Sequence, residues 1–202
     1  MNSTVTRPVA VGIALLAAAV GCGGGDDAGP DLSAAPTGVR WQGYQGIALP
    51  HTDQGPATVT DGAATGFEQS PRGAGLAALT HTLRLGVAPD AQWATVVNRE
   101  LMPGPARDEW AINRVRLSIT GPATPGYAPR LLGYKITEYR AEQSRVEVYT
   151  EYADRSRAVS HTTVRWYEQD WRLQLPDPLA QDRPVDAIDE LPPDIVRVEA
   201  PQ

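Results

Sequence analysis

Between residues 70 and 113 the apolar positions recur every three or four residues, whereas between 115 and 175 they recur every second residue. These are the helix and strand repeats, so the chain predicts helices first and strands after them. Ser70-Pro71 is a helix start, a hydroxyl cap followed by proline at the first helical position. Leu76, Leu79, Thr80 and Leu83 then share a face that is apolar except for the threonine, and Gly86 is placed to end the helix. Pro89-Asp90 opens a second helical stretch with Trp93, Val96, Val97 and Leu101 on one side, closed by Pro103-Gly104. A third short helix fits Arg107 to Asn113, its Asp108 and Glu109 complementing the helix dipole.

Val115, Leu117 and Ile119 alternate with Arg116, Ser118 and Thr120, and Leu132, Tyr134 and Ile136 alternate with Leu131, Gly133 and Lys135. Val146, Val148 and Tyr152 oppose Arg145, Glu147, Tyr149 and Glu151. A turn at 153–156 leads to Val159 through Tyr167, and a tight connection at Glu168-Gln169-Asp170 leads to Trp171, Leu173 and Leu175. The expected architecture is α+β: two or three N-terminal helices on one face of a curved antiparallel sheet of four to five strands, the other face half-polar. Ahead of the helices, Trp41 to Thr60 mixes Gly43, Gly46, Pro50, Gly55 and Pro56 with short apolar runs such as Ile47-Ala48-Leu49. That is the pattern of an irregular leading arm with one short strand.

The 19 Gly and 18 Pro among 202 residues point to one modest domain with long flanks. All five Trp, all seven Tyr and Phe67 lie between Trp41 and Trp171. Aromatic side chains carry a large share of core burial, which sets the domain at 38–176. Residues 177–202 hold seven acidic side chains against Arg183 and Arg197 and no aromatic, an acidic, proline-rich tail. Residues 104–176 hold eleven Lys or Arg against nine Asp or Glu. The tail either lies across this mildly basic face or stays solvated.

Residues 1–21 read as a secretory signal: a polar start with Arg7, the apolar run Val9 to Val20, and the step Ala19-Val20-Gly21 into Cys22. The run is twelve residues, short of the roughly twenty that a spanning helix needs. Cys22 is the single cysteine, which excludes an intramolecular disulfide and multi-cysteine metal clusters. Its setting resembles the bacterial lipobox, with Ala19 where a large aliphatic residue is usual. The resemblance implies a diacylglyceryl group on Cys22 and attachment to the outer face of the cell membrane. Residues 22–37, beginning Gly23-Gly24-Gly25-Asp26-Asp27, lack apolar periodicity and read as a flexible tether. Loss of residues 1–21 removes only Arg7 and takes the formal charge from −6 to −7. An acidic chain argues against nucleic acid, whose phosphates need a basic surface.

The terminal hairpin Val164-Arg165-Trp166-Tyr167-Glu168-Gln169-Asp170-Trp171-Arg172-Leu173 resembles that of the cone-shaped nuclear-transport-factor-2-like (cystatin-like) superfamily, where an acidic residue and a Trp follow the turn. Gln169 stands where Gly is frequent. Further short matches are Trp41 with Leu49-Pro50, Gly55-Pro56, Gly66-Phe67, Pro71-Arg72-Gly73-Ala74, Pro105-Ala106-Arg107-Asp108, Gly133-Tyr134 and Asp170 through Pro176. Together they resemble a family of secreted proteins and lipoproteins of high-GC Gram-positive bacteria that is often encoded on conjugative, integrating elements. The resemblance covers residues 41–176 and implies an association with a conjugative secretion apparatus.

Catalytic chemistry is hard to find along the chain. Gly73-Ala74-Gly75-Leu76-Ala77-Ala78 matches a dinucleotide fingerprint but lacks the preceding buried strand, so these small residues are read as packing positions and no nucleotide is expected. His51, His81 and His161 are scattered; His51 with Asp53 lacks the ligand count of a metal site. Ser160 and His161 are adjacent on a strand and point to opposite faces. The cone fold can enclose a pocket, for which Trp93, Tyr134, Tyr139, Tyr149 and Trp166 are the candidate lining, with Glu138 as an acid of the type some relatives use. The reading favoured by the sequence is a non-catalytic, lipid-anchored accessory domain with an envelope-protein partner and no cofactor. The alternative is a small-molecule-binding or isomerase-like cone domain.

Overall fold

The computed structural model describes Met1 and residues 29–124, 126–177, 179 and 183–201. Cys22 and nearly all of the signal segment lie outside the described residues. The elements in chain order are β1 (Arg40–Tyr44), β2 (Ile47–His51), β3 (Thr58–Thr60), β4 (Ala63–Thr65), α1 (Pro71–Val87), α2 (Trp93–Glu100), α3 (Pro105–Arg114), β5 (Arg130–Arg140), β6 (Gln143–Glu151), β7 (Arg157–Tyr167), β8 (Asp170–Gln174), β9 (Val185–Ile188) and β10 (Val196–Arg197). The main sheet is six-stranded in the order β10-β5-β6-β7-β8, with β9 also on β7, and all its named pairings are antiparallel. The fold is therefore mixed α and β, with three helices and a larger sheet than the sequence predicts.

Two strands of the excess come from the acidic C-terminal segment. β9 lies along the outer side of β7, and β10 lies along β5 on the opposite side of the sheet. The intervening chain crosses the face that bears Leu132, Tyr149 and Val159, where Ile188, Leu191 and Ile195 cover them. Lys135 pairs with Asp194 at 2.8 Å beneath this strap, and Arg130 bridges Glu151 and Glu199. Gly133 permits the crossing: it has φ +155°, and a Cβ there would stand 2.3 Å from the Val196 carbonyl oxygen. The strap makes both faces of the sheet partly apolar. With the extra strands, the architecture is not clearly the cystatin-like cone that the hairpin suggests.

On the other face, α1 packs against β5, β6, β7 and β8 and carries a core of Leu76, Leu79, Leu83, Tyr134, Val146, Val148, Val164, Trp171 and Leu173. Ser70 caps α1 by accepting from the Gly73 amide, and Pro71 occupies its first turn. Gly75 meets the sheet directly: an added Cβ would lie 2.3 Å from the Tyr134 ring. Gly86 does not end the helix. The helix continues to Val87, and Pro89 stops it, since the residue before a proline is disfavoured in the helical region. The leading arm is more regular than expected: it forms two hairpins, β1-β2 and β3-β4. Within the segment 22–37, Leu32 packs on the main core and the Thr37 amide donates to the Gln54 side chain.

The predicted strand at Val115, Leu117 and Ile119 is absent. Residues 115–120 form a turn and an extended stretch with no strand partner, tied instead to Asp90. The Asp90 carboxylate accepts from the Ile119 amide (3.0 Å), Ser118 Oγ (2.8 Å) and Arg114 Nη2 (3.0 Å), while the Asp90 amide donates to the Ile119 carbonyl. These bonds, the Ile119 amide foremost, hold the Asp90 carboxyl below its ordinary value of 3.8. A depressed acid stabilises the folded arrangement fully above the unfolded value and loses that effect as pH falls through the folded one. Protection of the Ile119 amide from hydrogen exchange is thus expected to decline once the pH drops below 3.8, and Asp90→Asn should remove that pH dependence. Unchanged protection down to full protonation of the carboxylates would refute the tie.

Candidate functional site

Two groups of polar side chains stand out, one sealed and one open. The sealed group lies between α1, α2 and the β3-β4 hairpin. His81 Nδ1 is 2.8 Å from Glu100 Oε2, His81 Nε2 is 3.0 Å from the Trp171 carbonyl oxygen, and Glu100 Oε1 accepts from the Ala64 amide at 2.7 Å. Both side chains are fully buried. Both ring nitrogens face acceptors, an arrangement that an imidazolium–carboxylate pair satisfies. Arg84, one turn further along α1, donates to the Gly62 carbonyl and lies 4.2 Å over the Tyr44 ring. Burial pulls the Arg84 guanidinium below its ordinary range, and the Glu100 and Tyr44 charges oppose that shift. With no access from solvent, these groups hold the N-terminal hairpins and α2 onto α1.

A second knot joins motifs that are about a hundred residues apart in sequence. The Asp170 carboxylate accepts from the amides of Gly66 (2.8 Å), Phe67 (3.0 Å) and Trp171 (2.9 Å), and Trp171 Nε1 donates to the Glu68 carbonyl at 2.9 Å. Asp170-Trp171 and Gly66-Phe67 thus hold each other in place at the entrance to α1. The turn before them uses Glu168 and Gln169 at φ 49° and 64°. A two-residue hairpin loop favours this left-handed pair of conformations, so Gln169 takes the backbone shape that glycine adopts more readily.

The open group lies on the strap face of the sheet, beyond the part the strap covers. A groove of about 630 Å³ runs across the strands, with Thr137, Arg145, Thr163 and Gln174 on its floor and Pro184 and Asp186 on its wall. Antiparallel register places Arg145, Thr163 and Gln174 in one row and Glu147 and His161 in the next. His161 Nε2 is 3.2 Å from Asp186 Oδ2 and Nδ1 is 3.7 Å from Glu147 Oε1, and Tyr149 donates to Glu147 Oε2 at 2.6 Å. Burial, with the Glu147 carboxylate adding to it, pushes the Tyr149 phenol well above its ordinary value. His161 and Asp186 are exposed enough that their pairing contributes only about 0–1 kcal/mol. The row presents paired donors and acceptors at fixed spacing to anything that lies along it.

The five candidate lining residues do not share a pocket. Trp166 and Tyr139 pack on Trp171, with ring centroids 5.4 and 6.1 Å away, and Tyr134 lies in the same core over Gly75. Burial drives the Tyr134 phenol far up, and its hydroxyl has no partner among the described residues. Trp93 packs against that core from α2, its ring centroid 6.3 Å from that of Trp110, and Tyr149 belongs to the opposite face under the strap. Glu138 is on β5 and pairs with Arg140 and Arg145. Ser160 and His161 do point to opposite faces. Gly73 lies inside α1 after a loop, with a Cβ there only 2.0 Å from the Glu68 carbonyl oxygen, so this stretch is packing backbone. Among the described residues no three His, Cys, Asp or Glu gather as a metal site.

His81 and Glu100 are the pair that sequence reasoning missed. A signal for it was present: Glu100 falls on the apolar stripe of Val96, Val97 and Leu101, where an unpaired carboxylate would be costly.

Residues 5–192 match the family described as "Domain of unknown function (DUF8175)". The chain belongs to this family. The DUF8175 match takes in the apolar leader, Cys22, all three helices and the strands through β9, and it stops before β10. No curated protein and no solved structure matches the chain. No helix among the described residues is long and apolar enough to cross a membrane.

Proposed function

We propose that this DUF8175 chain is a membrane-anchored, non-catalytic surface lipoprotein, an accessory or interaction domain of a conjugation or secretion apparatus at the outer face of the cell membrane. The observation that carries the reading is the lone cysteine at the end of a twelve-residue apolar run, followed by a glycine-rich stretch. Acyl chains contribute about 0.8 kcal/mol per buried methylene, so a diacylglyceryl group holds a chain stably where a single fatty acid does not. The open sheet face supports the interaction role: its polar rows are set by strand register, and partners read such surfaces by complementary hydrogen bonding. The motif resemblance to secreted proteins of conjugative elements supports the assignment to an apparatus.

A small-molecule-binding or isomerase-like reading draws on the same groove, whose volume of about 630 Å³ falls within the range of ligand clefts. His161, Glu147 and Asp186 are occupied with one another there, which weighs toward surface recognition.

Deletion of the gene from a host carrying the conjugative element, followed by complementation, tests the proposal. Transfer frequency should fall on deletion, return with the wild-type chain, and fail to return with Cys22→Ser. Transfer that is unaffected by deletion would exclude a role in the apparatus.

A further inference from the structure

Under the strap, basic side chains on the sheet hold acidic groups of the chain's own C-terminal segment. Arg130 reaches Glu199, Lys135 reaches Asp194, His161 reaches Asp186, and Arg157 donates to the Asp189 carbonyl. The segment that supplies these groups is extended, acidic, and aliphatic at Ile188, Leu191 and Ile195.

Beyond the strap the same face continues uncovered. Antiparallel register sets Arg140, Gln143, Arg165 and Arg172 in one row across β5, β6, β7 and β8, with Glu138, Arg145, Thr163 and Gln174 in the next. The two rows hold four arginines against one glutamate, in a chain whose formal charge is −6. Glu138 lies 3.3 Å from Arg140 and 3.5 Å from Arg145, one carboxylate between two guanidinium groups that are 74 % and 63 % exposed. Arg172 is turned aside onto Glu168 and the Tyr167 ring. Arg165 is exposed and makes no ion pair among the described residues, although it stands directly opposite Arg172. Like charges directly opposite one another weaken a sheet, and an anion lying along the row would remove that penalty.

A continuous depression passes these side chains. The groove with Arg145, Thr163 and Gln174 on its floor shares Gln174, Leu175 and Asp177 with a hollow of about 470 Å³, which Met102, Arg107 and Arg165 also line. The acids of the depression are engaged: Glu147 and Asp186 with His161, and Asp177 with the Leu179 amide.

We propose that this uncovered part of the face docks an extended, acidic segment of another protein. The segment brings carboxylates to Arg145 and Arg165 and an aliphatic side chain to Met102 and Leu175, the chemistry by which the strap binds the other part. An anionic bilayer fits less well. The strap stands on the same face with Asp189 and Glu190 exposed, so a broad anionic surface would be pressed against carboxylates, whereas a narrow segment lies beside them. A phosphate polymer fits less well too, because it carries nothing for the apolar side of the hollow. The inference rests on the interaction role proposed above and adds the partner's chemistry; it needs neither the lipid on Cys22 nor the transfer apparatus.

Photocrosslinking of the full chain in its native host tests this, with benzoylphenylalanine placed at Thr137 or Gln174, two exposed residues of the groove. Both positions should give an adduct with the same protein, and mass spectrometry should place the crosslink in a segment rich in Asp or Glu with aliphatic neighbours. Arg145→Glu combined with Arg165→Glu, with folding checked by thermal melting, should lower adduct yield about tenfold, since two ion pairs give way to repulsion. Arg145→Lys combined with Arg165→Lys keeps the charge and should hold the yield within about twofold. A lipid adduct, an adduct of twice the chain's own mass, a crosslink in a neutral or basic segment, a yield that ignores the charge reversal, an equal fall in the lysine pair, or no adduct would each overturn the proposal. If any of these occurs while deletion of the gene still lowers transfer, the apparatus role stands without the acidic partner. An acidic adduct with transfer unaffected by deletion removes the apparatus role and leaves the docking site.

Discussion

Glu100→Ala is expected to lower the stability of the domain by about 3–5 kcal/mol, the cost of breaking a buried charged pair by removing one partner. The substitution strands two buried groups at once, the Ala64 amide and His81 Nδ1, in a layer that water does not reach. Against a typical total of about 5–15 kcal/mol this is a large fraction. The melting temperature of a domain this size should drop by roughly 6–20 °C. Glu100→Gln separates hydrogen bonding from charge. Its amide oxygen can still accept from Ala64, and its NH₂ can donate to Nδ1 of a neutral His81 whose Nε2–H meets the Trp171 carbonyl. Gln should therefore cost only about 1 kcal/mol, the scale of one exchanged hydrogen bond. Equal losses for Ala and Gln, read by circular dichroism melts, would mean that the charge of the pair, and not its bonding, holds α2 to α1.

Trp171→Ala is the second large effect. Trp171 is fully buried, sits between Tyr139 and Trp166, and donates through Nε1 to the Glu68 carbonyl. Truncating a core Trp to Ala costs about 3–5 kcal/mol through lost burial and the cavity left behind. Trp171→Phe retains most of the volume and loses the Nε1 donor, so it should fall clearly between wild type and Ala. The two variants also differ in where the damage spreads. The Asp170 bonds to Gly66 and Phe67 remain in both, so amide exchange at those residues should accelerate more in Trp171→Ala than in Trp171→Phe. A Trp171→Ala domain that melts within 2 °C of wild type would contradict the central position given to this side chain.

Local signals in the sequence carried the helices well and the sheet unevenly. Ser70-Pro71 marks the start of α1 because cap chemistry is local, and the period of Trp93, Val96, Val97 and Leu101 marks α2 for the same reason. Strands are completed by partners, and this is where alternation misleads. Val115, Leu117 and Ile119 have the strand period, but no edge of the sheet is offered to them, and Asp90 takes their backbone instead. The reverse holds for β9 and β10. The acidic, proline-punctuated segment has too few apolar residues to predict strands, and it pairs because the outer sides of β7 and β5 stand ready with Leu132, Tyr149 and Val159 to be covered.

The candidate pocket residues show the same limit. Trp93, Tyr134, Tyr139, Tyr149 and Trp166 are the right residue types for a lining, but strand parity sends Tyr149 to one face and Tyr134 to the other. The bulges in β5 between Leu131 and Gly133 and between Ile136 and Glu138 shift that parity, and nothing in the alternation announces them. The co-occurrence of Gly66-Phe67 with Asp170-Trp171 was legible as a pattern. Its cause, three amides on one carboxylate, is visible only in space.

The mass of the chain extracted from membranes decides whether Cys22 carries a lipid. The lipoprotein reading predicts a chain that begins at Cys22 and carries a diacylglyceryl group on its sulfur, with incorporation of labelled palmitate that Cys22→Ser abolishes. A membrane-bound chain with an unmodified Cys22 thiol, or a Cys22→Ser chain that still fractionates with membranes and still takes up the label, would contradict it.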